Sequence, residues 1–195
     1  MTPLAFTFPY ALAFWAVLAW AFAYECVLTS RSRRRVARTS DRGSLPLIVF
    51  GLGTANLAAI PLAFAEAGQF PPSLQVGLLA AGLGLLAAGS LLRRHCQRVL
   101  GPHFTSAVAA EPGQPVVERG AYAWVRHPSY SAGVLMHLGY GLALGSWVST
   151  LLVVGMCVVV FGYRITVDER LLAEVLGAPY RDYMRRRKRL IPYVF

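Results

Sequence analysis

Lysine and arginine occur in this chain only in clusters, separated by stretches too long and too apolar to rest in water. All 19 fall within 31–42, 93–98 and 181–189 or at Arg119, Arg126, Arg164 and Arg170. A helix crosses the hydrocarbon core of a bilayer with about 20 apolar residues, and the gaps supply such lengths at 10–28, 45–65 and 72–92. A further gap, 131–163, carries no formal charge. It is too long for one helix and is interrupted at Gly145, Ser146 and Trp147, so it reads as a hairpin of two short helices, 131–145 and 148–163. Hydrophobic residues make up 56% of the chain and charged ones 14%, against about 25% charged in an ordinary soluble domain. These features predict an all-α integral membrane protein, 1–195, a single membrane domain of five transmembrane helices.

An odd number of spans also satisfies the charge rule. With the N-terminus outside, the 31–42 loop, the 93–130 segment and the 164–195 tail all face the cytoplasm, and every Lys and Arg lies on that side. The other side receives the N-terminus, the 66–71 turn and the hairpin tip at Ser146. The start has no basic region and no small-residue cleavage site, so the first helix reads as a retained anchor.

Several familiar patterns carry no chemistry here. Gly82-x-Gly84-x-x-Ala87 fits a loose dinucleotide fingerprint but lies inside an apolar span, where small residues serve close helix packing. Gly141-x-x-x-Gly145 reads the same way. The four histidines, at 95, 103, 127 and 137, lack the i, i+4 spacing of helical metal pairs, and Cys26, Cys96 and Cys157 are isolated, so no metal is expected. The basic run Arg185, Arg186, Arg187, Lys188 and Arg189 suits anionic lipid better than nucleic acid. Glu25, near the inner end of the first helix, is expected to pair with the basic residues at 31–35.

The polar segment 93–130 and the tail are too particular to be linkers. Gly101, Pro102, Pro112, Gly113, Pro115 and Gly120 break helices and leave irregular backbone with free N–H and C=O groups, which suits a polar ligand at the membrane surface. A helix start follows at Pro128, and its unpaired N–H groups favour carboxylate or phosphate. In the tail, apolar and aromatic residues from Leu171 to Met184 recur at helical spacing. They predict an interfacial helix, broken at Gly177 and Pro179, that lids the site.

Trp124-x-Arg126-His127-Pro128-Ser129-Tyr130, then Arg164-x-x-x-Asp168-Glu169, then Leu176-Gly177-x-x-Tyr180-x-x-Tyr183 and Ile191-Pro192 together resemble the isoprenylcysteine carboxyl methyltransferase family, integral membrane enzymes that use S-adenosylmethionine. The resemblance runs over 93–192. It implies that Gln114, Pro115, Val116, Val117, Tyr122, His127, Pro128, Ser129 and Tyr130 enclose the cofactor, and that an acid of the tail, Asp168 or Glu169, closes the pocket. It implies that Arg164 holds the substrate, a lipophilic or lipidated molecule entering sideways from the bilayer. Where the family usually has glutamate this chain has Asp168, and Gln114-Pro115 departs from a commoner polar-Leu pair.

The chemistry needs no dedicated base for a carboxylate acceptor, which is already ionised at neutral pH, so positioning carries much of the catalysis. An amine acceptor would need Asp168 or Glu169 to take its proton. Two other classes are weighed beside this one. A membrane reductase of the sterol reductase type carries a similar His-Pro-x-Tyr element and would hold NADPH phosphates with Arg119, Arg126 and the 185–189 run. A non-enzymatic transporter subunit would need ionisable residues in mid-membrane, and apart from Glu25 near one end there are none. The Ala, Gly and Arg bias points to a GC-rich, bacterial genome.

Overall fold

The computed structural model describes residues 2–32, 44–104 and 110–192. The described residues are helical throughout, with two isolated bridges and no strand. Helix α1 is Tyr10–Ser32. Helix α2, Ser44–Ala63, opens with a short α turn, continues as a π-helical stretch over Leu47–Leu52 and finishes as α-helix. Helix α3 is Pro72–Leu100, α4 is Pro128–Ala143, α5 is Trp147–Val175 and α6 is Ala178–Arg186. Of these, α2, α3 and α5 are long and apolar enough to cross a membrane; Tyr10–Ala23 is a shorter apolar helix, and α4 has 16 residues.

Starts and stops follow the local sequence. Proline opens α3 and α4, where its missing N–H has no partner to lose. The α4–α5 hairpin turns at Gly145, whose φ of 72° favours glycine, and Ser146 then caps α5 by accepting from the Ser149 N–H at 3.2 Å.

Two expectations are corrected here. Helix α3 does not end at Leu92 but continues to Leu100, so Arg93, Arg94 and Arg98 are helical. Arg94 is accommodated by donating to the Trp20 carbonyl at 2.7 Å and lying over the Trp20 ring. The tail does not begin a separate interfacial helix at Leu171, because α5 runs on to Val175. The break falls at Gly177, with φ 65°, while Pro179 sits in the first turn of α6 rather than interrupting it. The partners expected for Glu25, at 31–35, fall outside the described side chains. The Glu25 carboxylate accepts from Arg93 Nε at 2.6 Å, since α1 and α3 pack side by side and reach the same end. Most of the 31–42 loop lies outside the described residues.

Helices α3 and α4 form the closest contact, and glycine makes it possible. A Cβ on Gly82 would come 2.5 Å from the Gly139 carbonyl oxygen, one on Gly139 would meet the Gly82 oxygen at 2.5 Å, and one on Gly89 would meet the Ala132 oxygen at 2.8 Å. A Cβ on Gly84, which faces away from this contact, would meet nothing within 4 Å. Packing at van der Waals distance is the main glue between helices in lipid. We therefore expect Gly82→Ala to destabilise the detergent-solubilised protein by about 1–3 kcal/mol, while Gly84→Ala stays within about 0.5 kcal/mol. Equal melting temperatures for the two variants would contradict this packing.

The end of the bundle that lacks basic residues is closed by the turns. The Phe70 N–H donates to the Gly145 carbonyl at 3.0 Å, and the Phe6 and Phe64 rings lie 5.1 Å apart. The opposite end gathers 93–104, 110–130 and the tail, and the site lies there.

Candidate active site

A cavity of about 940 Å³ opens among α1, α2, α3, α4, α5 and the 114–122 backbone. Gln114, Pro115, Val116, Val117, Tyr122, His127, Ser129, Tyr130, Arg164 and Asp168 all line it. Pro128 and Glu169 do not. Pro128 is fully buried at the start of α4, and Glu169 lies behind the wall, holding that wall together.

One end of the cavity is polar backbone. Val116 and Val117 are half-buried in irregular structure, and among the described residues their N–H and C=O groups make no backbone hydrogen bond. Such groups are costly to leave unmet unless a ligand or water meets them. Tyr122 follows, in a short 3₁₀ turn over Gly120–Ala123.

The charged face of the cavity is a chain of contacts across three helices. Arg164 is almost fully buried at 2% exposure. Its Nη1 donates to Ser44 Oγ of α2 at 2.7 Å and its Nε to the Tyr130 hydroxyl of α4 at 3.2 Å. One turn on, Asp168 lies 3.6 Å from Arg164 Nε and accepts a hydrogen bond from the Tyr130 hydroxyl. Two points of attachment fix the plane of the guanidinium. Phe161 stacks on Tyr130 with ring centres 5.3 Å apart, which fixes the phenol as well.

Behind this face the tail is strapped to the start of α4. Arg126 and His127 donate their backbone N–H groups to the carbonyls of Lys188 and Arg189 at 2.8 and 2.9 Å, and Ser131 Oγ donates to the Leu190 carbonyl. The Tyr183 hydroxyl, which burial keeps protonated, donates to the Tyr122 carbonyl at 2.7 Å. Glu169 ties the strap together. It lies past the uncharged part of α5 and accepts from Arg126 Nη2 at 2.8 Å, Arg189 Nη2 at 2.9 Å and His127 Nε2 at 3.2 Å. Burial alone would raise its pKa, but the hydrogen bonds from His127 and Arg189, with the charges of His127 and Arg126, prevail and hold it near 2. His127 thus presents its ring to Glu169 and Tyr130 and makes no side-chain cap on α4.

The opposite wall holds residues to which sequence reasoning gave no site role. Arg93 bridges Glu25 and Ser129, at 2.6 Å and 2.8 Å to the two side chains. Asn56, Met136, His137 and the π-helical stretch of α2 also line the cavity. Glu25 was legible, being the one charged residue before Arg31. Asn56 and His137 sit in apolar spans and gave no signal beyond their polarity. Among the described residues no cluster could hold a metal ion.

Comparison with known proteins agrees with this geometry. Residues 82–174 match the model of the isoprenylcysteine carboxyl methyltransferase family. The protein-S-isoprenylcysteine O-methyltransferase of Schizosaccharomyces pombe is 35% identical over 114 residues, 57% of this chain and 48% of the relative. Protein-S-isoprenylcysteine O-methyltransferase B of Arabidopsis thaliana is 30% identical, covering 58% of each. A solved structure of the eukaryotic intramembrane Ras methyltransferase of the same family superposes with a TM-score of 0.65 at 27% identity, over 73% of this chain and 52% of that one. The chain spans about half the length of these proteins. They are eukaryotic, and give no support to a bacterial source.

Proposed function

We infer that this chain, whose residues 82–174 match the model of the isoprenylcysteine carboxyl methyltransferase family, is a membrane methyltransferase that moves a methyl group from S-adenosylmethionine to the carboxylate of a lipophilic acceptor. The observation that carries this reading is one cavity with two unlike walls. Unpaired backbone at Val116 and Val117 adjoins Tyr122, His127, Tyr130 and Asp168, while α2 contributes Leu45, Ile48, Val49 and Leu52. The first wall suits a polar, cationic nucleoside and the second a hydrocarbon chain.

When bound, S-adenosylmethionine supplies a methyl group made electrophilic by its sulfonium. Asp168 contributes negative charge to the cavity that holds this cation. Arg164, fixed by Ser44 and Tyr130, orients an anionic acceptor without swinging toward it. No proton has to be removed from a carboxylate at neutral pH, so orientation of the acceptor is the chain's main contribution. An amine acceptor finds less here, because Glu169 is engaged by three basic side chains outside the cavity and Asp168 already accepts from Tyr130. The NADPH reading loses Arg126, whose guanidinium is taken by Glu169 and by the Met184 and Arg187 carbonyls.

The five helices cross the bilayer with the site at the cytoplasmic end and the N-terminus outside. A cysteine at Ala67, exposed in the turn at the other end of the bundle, is expected to be labelled by an impermeant reagent from outside intact cells and one at Ser40 is not; the opposite pattern would overturn this orientation. The activity itself is tested by calorimetric titration of the purified full chain. S-adenosylmethionine should bind saturably and NADPH should not, and the reverse result would replace the methyltransferase with a reductase.

A further inference from the structure

The apolar wall of the cavity contains one polar group that a plain hydrocarbon cannot satisfy. His137 is only 5% exposed and lines the cavity. Its Nδ1 lies 2.8 Å from the Gly133 carbonyl, one turn back along α4. A carbonyl can only accept, so Nδ1 carries the proton and the neutral ring offers its lone pair at Nε2. Among the described residues no hydrogen bond reaches Nε2, and the ring is clasped edge-on by Phe22 and Phe161. The nearby Tyr140 hydroxyl, one turn on from His137, is already engaged, donating to the Asn56 carbonyl of α2 at 2.9 Å.

A lone pair enclosed by aromatic and aliphatic side chains is costly unless a ligand group meets it. We propose that His137 forms a second recognition point for the acceptor lipid, selecting one that carries a hydroxyl or N–H donor within its hydrocarbon portion. The spacing follows from the helix. His137 lies seven residues beyond Tyr130, which bonds Arg164, and a rise of 1.5 Å per residue puts the two about 10 Å apart along α4. Phe161 spans that interval, stacking on Tyr130 and meeting His137 edge-on. An extended chain advances about 1.2 Å per bond, so a donor near the tenth carbon from a carboxylate at Arg164 reaches His137. This deepens the methyltransferase reading and rests on its placement of the acceptor carboxylate.

The test reads binding, so that it is separable from methyl transfer. The detergent-solubilised full chain is titrated with stearic acid, 10-hydroxystearic acid and 2-hydroxystearic acid. The 10-hydroxy acid should bind about fivefold to tenfold more tightly than stearic acid, and the 2-hydroxy acid should show no such gain. His137→Phe should shrink the ratio to within about twofold, and His137→Gln, which restores an acceptor, should recover part of it. Equal affinity for the three acids, a preference that survives in His137→Phe, or no binding of any of them overturns the proposal. Absence of S-adenosylmethionine binding alongside a His137-dependent preference would instead overturn the methyltransferase reading alone. Should His137→Phe fail to fold, His137→Leu and His137→Gln still decide the outcome.

Discussion

Arg164→Ala should lower methyl transfer by roughly ten- to a hundredfold while leaving S-adenosylmethionine affinity within about twofold. The loss corresponds to a hydrogen bond to a charged group, about 1.5–3 kcal/mol, with each 1.4 kcal/mol worth a factor of ten. Cofactor affinity is spared because the polar wall at Gln114, Val116, Val117 and Tyr122 does not depend on Arg164. Arg164→Lys should recover only part of the rate. Its ammonium is a point charge and cannot hold Ser44 and Tyr130 at once in the plane that the guanidinium fork defines. A helix-end anchor would behave differently, since either cation would serve it and only membrane yield would suffer in the alanine variant. Full transfer by the lysine variant would therefore remove Arg164 from the substrate site. Tyr130→Phe supplies an independent check, because it frees the Arg164 Nε and the Asp168 carboxylate together without touching the charge of either.

Helix positions were legible because charge and hydropathy alone mark where a chain can enter lipid. The 10, 72 and 147 starts agree with the sequence reading to within a residue or so. Helix ends were not, because a helix does not stop where its apolar stretch stops. Arg93 and Arg94 remain helical since Glu25, Ser129 and Trp20 receive their side chains, and α5 continues through Arg164, Asp168 and Glu169 since each finds a partner on another element. The glycines of α3 were correctly separated from a nucleotide fingerprint, although only the contact with α4 shows that Gly82 and Gly89 are essential and Gly84 is not. Arg164, Asp168, His127 and Tyr130, which the family resemblance singled out, line one cavity. The motifs could not tell Asp168 from Glu169, adjacent on one helix, because the difference lies in which face of α5 meets the tail. Arg126 was weighed only as a phosphate ligand, and its true role as a bracket for the tail depends on the Met184 and Arg187 carbonyls that chain-local reasoning cannot bring near.

Glu169→Gln should be the most damaging single change outside the cavity, lowering stability by about 3–5 kcal/mol, as expected when one partner of a buried ion cluster is removed. The amide preserves shape but leaves Arg126, nearly buried at 9% exposure, without a counter-charge. It also weakens the hold on His127 and Arg189, so the strap over Tyr122 and Tyr130 loosens and S-adenosylmethionine affinity falls with it. The pH dependence gives a separate signature. The folded pKa of Glu169 is depressed to about 2 from an ordinary 4.5, so the stabilisation it provides is complete above about pH 4.5 and is lost as the pH falls toward 2. Wild type and Glu169→Gln should therefore differ most in melting temperature at neutral pH and converge through that acid window. A variant that melts with the wild type at pH 7, or a difference that stays constant down to pH 2, would show that Glu169 does not carry the strap. Asp168→Asn separates the two acids. It should impair transfer through Tyr130 and Arg164 and weaken S-adenosylmethionine binding by removing negative charge from the cavity, with a far smaller change in melting temperature, because Asp168 borders the cavity and Glu169 anchors the tail.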